Sequence, residues 1–343
     1  MDDPQDLINQ GDQCFNRGEY QRAIAFWQEA AARAREKGDT GNELEALACI
    51  PVAWGSIPDC EKMIEAATRL LARARALRHK KYEMQAALRM AEALSDLDLR
   101  GRWRELKPLL LEGLETARQL GDHWWEVYHL KTLGDCAVSM GEEEQGLAWL
   151  QEALNAIRPG MDKEHYFRGE INSSLSHLMR QCGDHAEAVR YAEIAVNEFR
   201  QHGNPDFVAN AQRTLARAEW ARGELAEALR LVEEVLPRAR QMGWKGTGQD
   251  AEYLRGELLR EMGHPERAEP SARRALELAR EMKLKEEEVA CLLSLGQVLL
   301  ALKRREEARA VLQQARRLSQ ERDYADHFQR AEQLLTLAEG KMS

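Results

Sequence analysis

Residues 243–248, Gly-Trp-Lys-Gly-Thr-Gly, form the glycine-rich stretch that could cradle a phosphate. That chemistry needs a strand before the glycines and a helix entered through GK[ST] or GxGxxG. No strand-like run precedes Gly243, and the segment falls where a linker is expected, like 202–207. Nine histidines are scattered along the chain, without an H-E-x-x-H and without Cys/His spacing for a metal. His123 and His129 flank Trp124-Trp125 six residues apart and share no helical face. His177 and His185 straddle a turn at Gly183. Serine and histidine are both present, but no nucleophile elbow is. The six cysteines (Cys14, Cys49, Cys60, Cys136, Cys182, Cys291) form no C-x-x-C pair and sit among helical apolar residues, as buried thiols in a reducing compartment do. The sequence reads as non-enzymatic, with no metal and no cofactor.

The elements around these residues are helical. Ala, Leu, Glu, Arg and Gln dominate, whereas Val, Ile and Thr are sparse. Net charge is −9 over 343 residues, and all of it lies in the first 240, since 241–343 carry 18 basic and 18 acidic side chains. A general nucleic-acid binder should be basic, so no nucleic-acid partner is expected. The start, MDDPQDLINQ, is acidic and polar rather than a secretion signal. The most apolar run, VACLLSLGQVLLAL at 289–302, is too short to span a bilayer and suits a buried helix. These features predict a cytoplasmic protein with no membrane partner.

The strongest signal is internal repetition. Small residues recur at Gly134, Ser176, Ala216, Gly256 and Gly296, spaced by 42, 40, 40 and 40. Seven residues after each comes a helix-ending position: Gly141, Gly183, Gly223, Gly263 and Lys303. Twelve after each comes Gly146, Ala188, Ala228, Ala268 or Ala308, and nineteen after comes Ala153, Ala195, Val235, Ala275 or Ala315. Each unit reads as helix A, tight turn, helix B, with small residues where the helices cross. One pair cannot hide its apolar stripes alone, so the unit must stack on copies of itself.

Leu133-Gly134 and Leu295-Gly296 at mid-helix, Gly18-Glu19-Tyr20 at a turn and Ala23, Trp27 and Ala30 in helix B resemble the tetratricopeptide repeat. The unit of about 40 residues exceeds the usual 34 and is similar to the repeat domains of bacterial regulators and kinesin light chains. The resemblance implies an all-α, right-handed α-solenoid forming a single superhelical domain over 1–343. Its eight units would span about 4–38, 41–79, 81–120, 123–158, 164–202, 205–242, 247–282 and 286–321, with a capping helix at 324–338. Asp3-Pro4 should open the first unit. Pro51 and Pro58 should shorten helix A of a degenerate second unit, a candidate hinge. The third should turn at Gly101. Arginines crowding the ends of helix B (Arg33/Arg35, Arg73/Arg75, Arg118, Arg238/Arg240, Arg316/Arg317) are expected to complement the helix dipole.

In this family helix A lines a concave groove. The resemblance places there Tyr128, Lys131 and Asp135; Ser173, His177 and Arg180; Arg213, Arg217 and Trp220; Tyr253, Glu257 and Arg260; and, in a bland third unit, Ala91, Ser95 and Asp98. Arginine and aromatic residues are frequent binding hot spots, so the expected partner is a protein or peptide, acidic or carboxylate-ended. The family's carboxylate clamp is not reproduced: Lys131 fits, but Asp135 stands where Asn is needed, Ser174 follows, and Arg213 and Arg217 depart from the pattern. The function expected is a scaffold or adaptor that binds its partner in the concave groove. The alternatives are a ligand- or peptide-responsive regulator of a partner's activity, an RNA-binding helical repeat, which the acidic charge argues against, and self-assembly into a homo-oligomer through the end helices.

Overall fold

A computed structural model of the chain describes residues 3–57, 59–95, 99–322 and 324–339, without the side chains of 95 and 99–102. Among the described residues the structure is all helix and turn. The helices are α1 (Pro4–Asn16), α2 (Tyr20–Lys37), α3 (Thr40–Ser56), α4 (Cys60–Ala76), α5 (Lys80–Ser95), α6 (Leu99–Leu120), α7 (His123–Ser139), α8 (Glu143–Ala156), α9 (Glu164–Gln181), α10 (His185–His202), α11 (Pro205–Arg222), α12 (Leu225–Met242), α13 (Lys245–Glu261), α14 (Pro265–Glu281), α15 (Lys285–Ala301), α16 (Arg305–Glu321) and α17 (Ala325–Ala338). The fold is an all-α helical-repeat solenoid. The chain divides into two compact units, Met1–Ser174 and Leu175–Ser343. Consecutive helices pack together from α1 to α8 in the first and from α10 to α17 in the second.

Local chemistry explains most boundaries. Asp39, Asp59, Asp122 and Asp184 each accept a hydrogen bond from the backbone N–H three residues on, capping α3, α4, α7 and α10. Asp3 stands at the N-cap of α1 but makes no capping bond; its carboxylate lies 3.6 Å from Lys37 Nζ. All five anticipated turn positions adopt left-handed backbone, with Lys303 at φ 61° where its counterparts are glycine.

At three crossings a glycine faces a large residue sixteen positions later. A methyl group added at Gly134 would sit 2.6 Å from Leu150 Cγ, at Gly296 2.5 Å from Leu312 Cδ2, and at Gly11 2.4 Å from Trp27 Nε1. The run at 289–302 is buried nearly all round because α15 touches α13, α14, α16 and α17.

Several expectations are corrected. Pro51 does not shorten α3, which runs 17 residues with the proline inside it; only one backbone bond is lost, and the surrounding contacts hold the helix. Pro58 lies outside the described residues. Gly101 is helical, within α6, and does not form the third unit's turn. Cys182 is exposed, just beyond the end of α9, although Cys14, Cys136 and Cys291 are buried.

The helix-B arginines do more than face a dipole. Arg35, Arg118, Arg240 and Arg280 each bind a glutamate of the next helix: Glu43 at 2.6 Å, Glu126 at 3.0 Å, Glu252 at 2.5 Å and Glu288 at 3.0 Å. Glu43, only 1% exposed, is also held by Arg73 through Nε and Nη2 at 2.8 and 2.7 Å. One carboxylate thereby ties α2, α3 and α4 together. Burial pushes its pKa up, but the hydrogen bonds of Arg73 and Arg35 outweigh burial and hold it below the usual 4.5.

Glu43→Gln is therefore expected to destabilise the chain by about 2 kcal/mol at neutral pH. Because the folded-state pKa is lowered, this stabilisation is present above about pH 4.5 and is lost as pH falls through the folded value. Urea titrations of both proteins between pH 7 and pH 3 should show the gap closing; a constant gap would contradict the assignment.

Candidate functional site

The odd-numbered helices form a layer of their own. α1 touches α3, α3 touches α5 and α5 touches α7; in the second unit α11, α13, α15 and α17 do the same. Among the described residues the even-numbered helices make no such contacts with one another. Helix A of each repeat therefore lies on the more closely spaced side of its unit.

In the second unit α11 and α13 bring two guanidinium groups, Arg213 and Arg217, onto one carboxylate, with Arg180 of α9 near Arg217. Arg213 Nε lies 3.1 Å from Asp250 Oδ2, and Arg217 Nη2 pairs with Asp250 Oδ1. Arg180 donates to His177 Nδ1 at 3.0 Å and has no carboxylate partner among the described residues. Burial and the nearby Arg217 charge pull the Arg180 pKa down. Burial lowers that of Arg213 as well; Asp250 opposes this, Arg217 adds to it, and Asp206 is close enough to oppose it. Positive charge is thus in excess, and an incoming anion would relieve it.

The neighbouring residues are differently placed. The Trp220 indole donates to Glu261 Oε2 at 2.7 Å. Arg260 pairs with Glu257 at 2.8 Å and lies 3.6 Å from Glu261. Glu257 is buried and accepts the Ser294 hydroxyl at 2.5 Å. Tyr253 is half-buried, its phenol pushed up to about 12 by burial and then by Glu257.

In the first unit the charge balance reverses. Lys131 Nζ lies between Asp135 at 2.9 Å and Glu170 at 3.3 Å, so two carboxylates answer one ammonium. The Tyr128 hydroxyl donates to Glu92, which also holds Arg89 at 2.6 Å. Around Tyr128, Trp124 and Phe167 pack edge-on, with ring centroids 5.0 and 5.9 Å away. A hollow of about 430 Å³ opens between α3, α5 and α7, bounded by Cys49, Tyr82, Trp124 and Trp125. Burial, then Asp12 and Glu45, push the Cys49 thiol up to about 12, and burial does the same at Cys136 and Cys291. These thiols stay protonated and make poor nucleophiles. No group of three or more metal-ligating side chains occurs among the described residues.

The structure thus brings Arg180, Arg213, Arg217, Tyr253 and exposed His177 into one unit, while Tyr128 and Lys131 belong to the other. Ala91 is buried rather than lining a groove, and Asp98 and the Ser95 side chain lie outside the described residues. The glycine-rich segment contributes only Gly243 and Trp244 to a linker; 245–248 are the first turn of α13. Trp124 and Trp125 lie in the first turn of α7. Sequence reading missed Asp250, Arg89 and Glu92. Asp250 meets Arg217 across 33 residues and Glu92 meets Tyr128 across 36, about one repeat, and no local pattern marks such pairs; Arg89 enters through Glu92, three residues on.

No helix among the described residues is long and apolar enough to cross a membrane. Tetratricopeptide-repeat family models match residues 168–241, 251–282 and 289–322. No curated protein matches the sequence. A signal transduction ATPase with numerous domains and a tetratricopeptide repeat sensor, from Pyrococcus horikoshii, superposes with a TM-score of 0.66 at 14% identity, over 93% of this chain and 48% of that one. A Rap protein complexed with competence and sporulation factor gives 0.62 at 11% identity over 98% of each chain. The Rap conjugation gene regulator of plasmid pLS20, in complex with the Phr* peptide, gives 0.60 at 16% identity over 82% of this chain and 75% of its own. These likenesses establish the fold.

Asp250→Asn should leave Arg213 and Arg217 without their shared carboxylate and cost roughly 1 kcal/mol at low salt, discounted for partial exposure. Salt at about 1 M should recover much of that loss by screening. Chemical denaturation in urea at both ionic strengths checks this; a loss insensitive to salt would mean the cations do not repel one another there.

Proposed function

We propose that this tetratricopeptide-repeat protein is a non-enzymatic, cytoplasmic scaffold that binds a partner protein or peptide along its helix-A layer. One observation carries the reading: Arg213 and Arg217 share a single close carboxylate, Asp250, and Arg180 near Arg217 contacts none, with Trp220 and Tyr253 beside them. A partner carboxylate, from an acidic side chain or a chain end, would complete the neutralisation that Asp250 begins. Guanidinium forks recognise carboxylates in paired geometry, and the two aromatic residues would supply desolvated contact area. Lys131 and Arg260 are poorer anion sites because each already holds two carboxylates.

A second reading, regulation of a partner's activity in response to a peptide, is favoured by the company the fold keeps. Two similar structures are Rap proteins, one a conjugation gene regulator in complex with the Phr* peptide and one complexed with competence and sporulation factor. Stacked repeats touch only their neighbours, so a ligand between two of them can shift the spacing that a second partner reads.

Affinity capture from a native lysate, read by mass spectrometry, tests the site. A partner held by the wild type should fall about tenfold with Arg217→Ala/Trp220→Ala, the loss expected for hot-spot truncation. Circular dichroism of the double variant should be unchanged. Full retention of the partner would remove the helix-A layer of the second unit as the binding face.

A further inference from the structure

The outer, even-numbered layer holds a cavity that the groove reading does not use. In the first unit α2 and α4 stand apart over α3, leaving about 920 Å³ between them. The equivalent gap between α12 and α14 over α13 measures about 210 Å³, and that between α4 and α6 over α5 about 10 Å³. The difference lies in the side chains. Leu236 and Leu278 fill the α12–α14 gap, whereas Ala31, Ala32, Ala66, Ala72 and Ala76 line the α2–α4 gap. The floor is apolar, made by Leu47, Ile50 and the partly exposed Trp54. The volume lies within the range of about 300–1,000 Å³ typical of small-molecule sites.

The rim is cationic on an acidic chain. Arg35, Lys62, Arg69 and Arg73 line the cavity against Glu43 and Glu65. Arg35 gives Glu43 only its Nε, and Arg73 gives it Nε and Nη2. Both Nη groups of Arg35 and Nη1 of Arg73 therefore remain for another acceptor, held by Glu43 at the mouth of an apolar trough. The carboxylate that ties α2, α3 and α4 together also fixes the direction of this fork.

We propose that the α2–α4 gap binds a small amphipathic acid, its apolar body on Leu47, Ile50 and Trp54 and its anionic head on Arg35 and Arg73. The alanines make room for the body, and the excess of positive charge selects the head. A carboxylate and a phosphate monoester share this chemistry.

Calorimetric titration of the full chain with dodecanoate, dodecyl phosphate and dodecanol tests the site, with Trp54 fluorescence as a second signal. One equivalent of dodecanoate or dodecyl phosphate is expected to bind, about tenfold tighter than dodecanol, and the tighter anion identifies the head. Ala32→Leu/Ala72→Leu fills the gap at two exposed positions, so the core is untouched; it should weaken binding of the anions about tenfold with helicity and Tm unchanged. Arg35→Gln leaves Glu43 held by Arg73 and should bring the anions down to the dodecanol level. Absence of binding, equal affinity for dodecanol, or undiminished affinity in the filled variant would each overturn the proposal. So would an acidic amphipathic helical peptide that occupies the gap where the dodecyl ligands do not.

Discussion

Helix A and helix B of a repeat approach closely because one of them carries a small residue where they cross, with glycine at Gly134, Gly256 and Gly296. At Gly134 and Gly296 the space that a methyl would take is already filled by Leu150 and Leu312. Close crossing lets the larger apolar residues on either side interdigitate, and that packing buries Leu130, Leu133, Leu295 and Leu299 completely or nearly so. Everything else depends on it. A hairpin packed this tightly still leaves an apolar stripe on its outer edge, and the next hairpin has to cover it. The repeat is therefore a condition of stability rather than an ornament of the sequence.

Packing alone does not fix how one repeat meets the next, and a recurring ion pair supplies that orientation. Arg35, Arg118, Arg240 and Arg280 leave the end of a B helix and reach a glutamate of the following A helix. The arginines are largely solvated whereas Glu43, Glu252 and Glu288 are buried, so the geometry matters more than the net energy. Where a second arginine joins, as Arg73 does at Glu43, three helices share one carboxylate. The same residues line the α2–α4 gap, so a structural tie and a ligand head-group site would use different donors of the same two guanidinium groups.

Charge on the inner layer is distributed unevenly, and the unevenness is what makes part of it available for binding. Lys131 and Arg260 are answered by two carboxylates apiece. At Arg213 and Arg217 the count runs the other way, with Asp250 alone in close contact, and Arg180 near Arg217 has no carboxylate partner among the described residues. An acidic chain can thus hold a local cationic face, because partners one repeat apart decide the balance at each point rather than the total of −9.

Helix-forming composition, the recurrence of about 40 residues and the small residues at fixed offsets were enough, from the sequence alone, to establish an all-α stack of repeats. That is because crossing distance and left-handed turns impose local requirements that each unit must satisfy by itself. Lys303 could be placed at a turn from its register, although it is not a glycine. The sequence also placed Arg213 and Arg217 on one helical face, since that follows from a spacing of four. Only the tertiary structure decided which cations were already answered: Asp250 meets both arginines from the next repeat, while Glu170 joins Asp135 in closing off Lys131. Only the tertiary structure showed that alanines on α2 and α4 face each other across a hollow, whereas similar alanines elsewhere lie at tight crossings. The physical reason is the same in both cases. Turns and helical faces are properties of neighbours in the chain, whereas charge neutralisation and empty space are properties of neighbours in space.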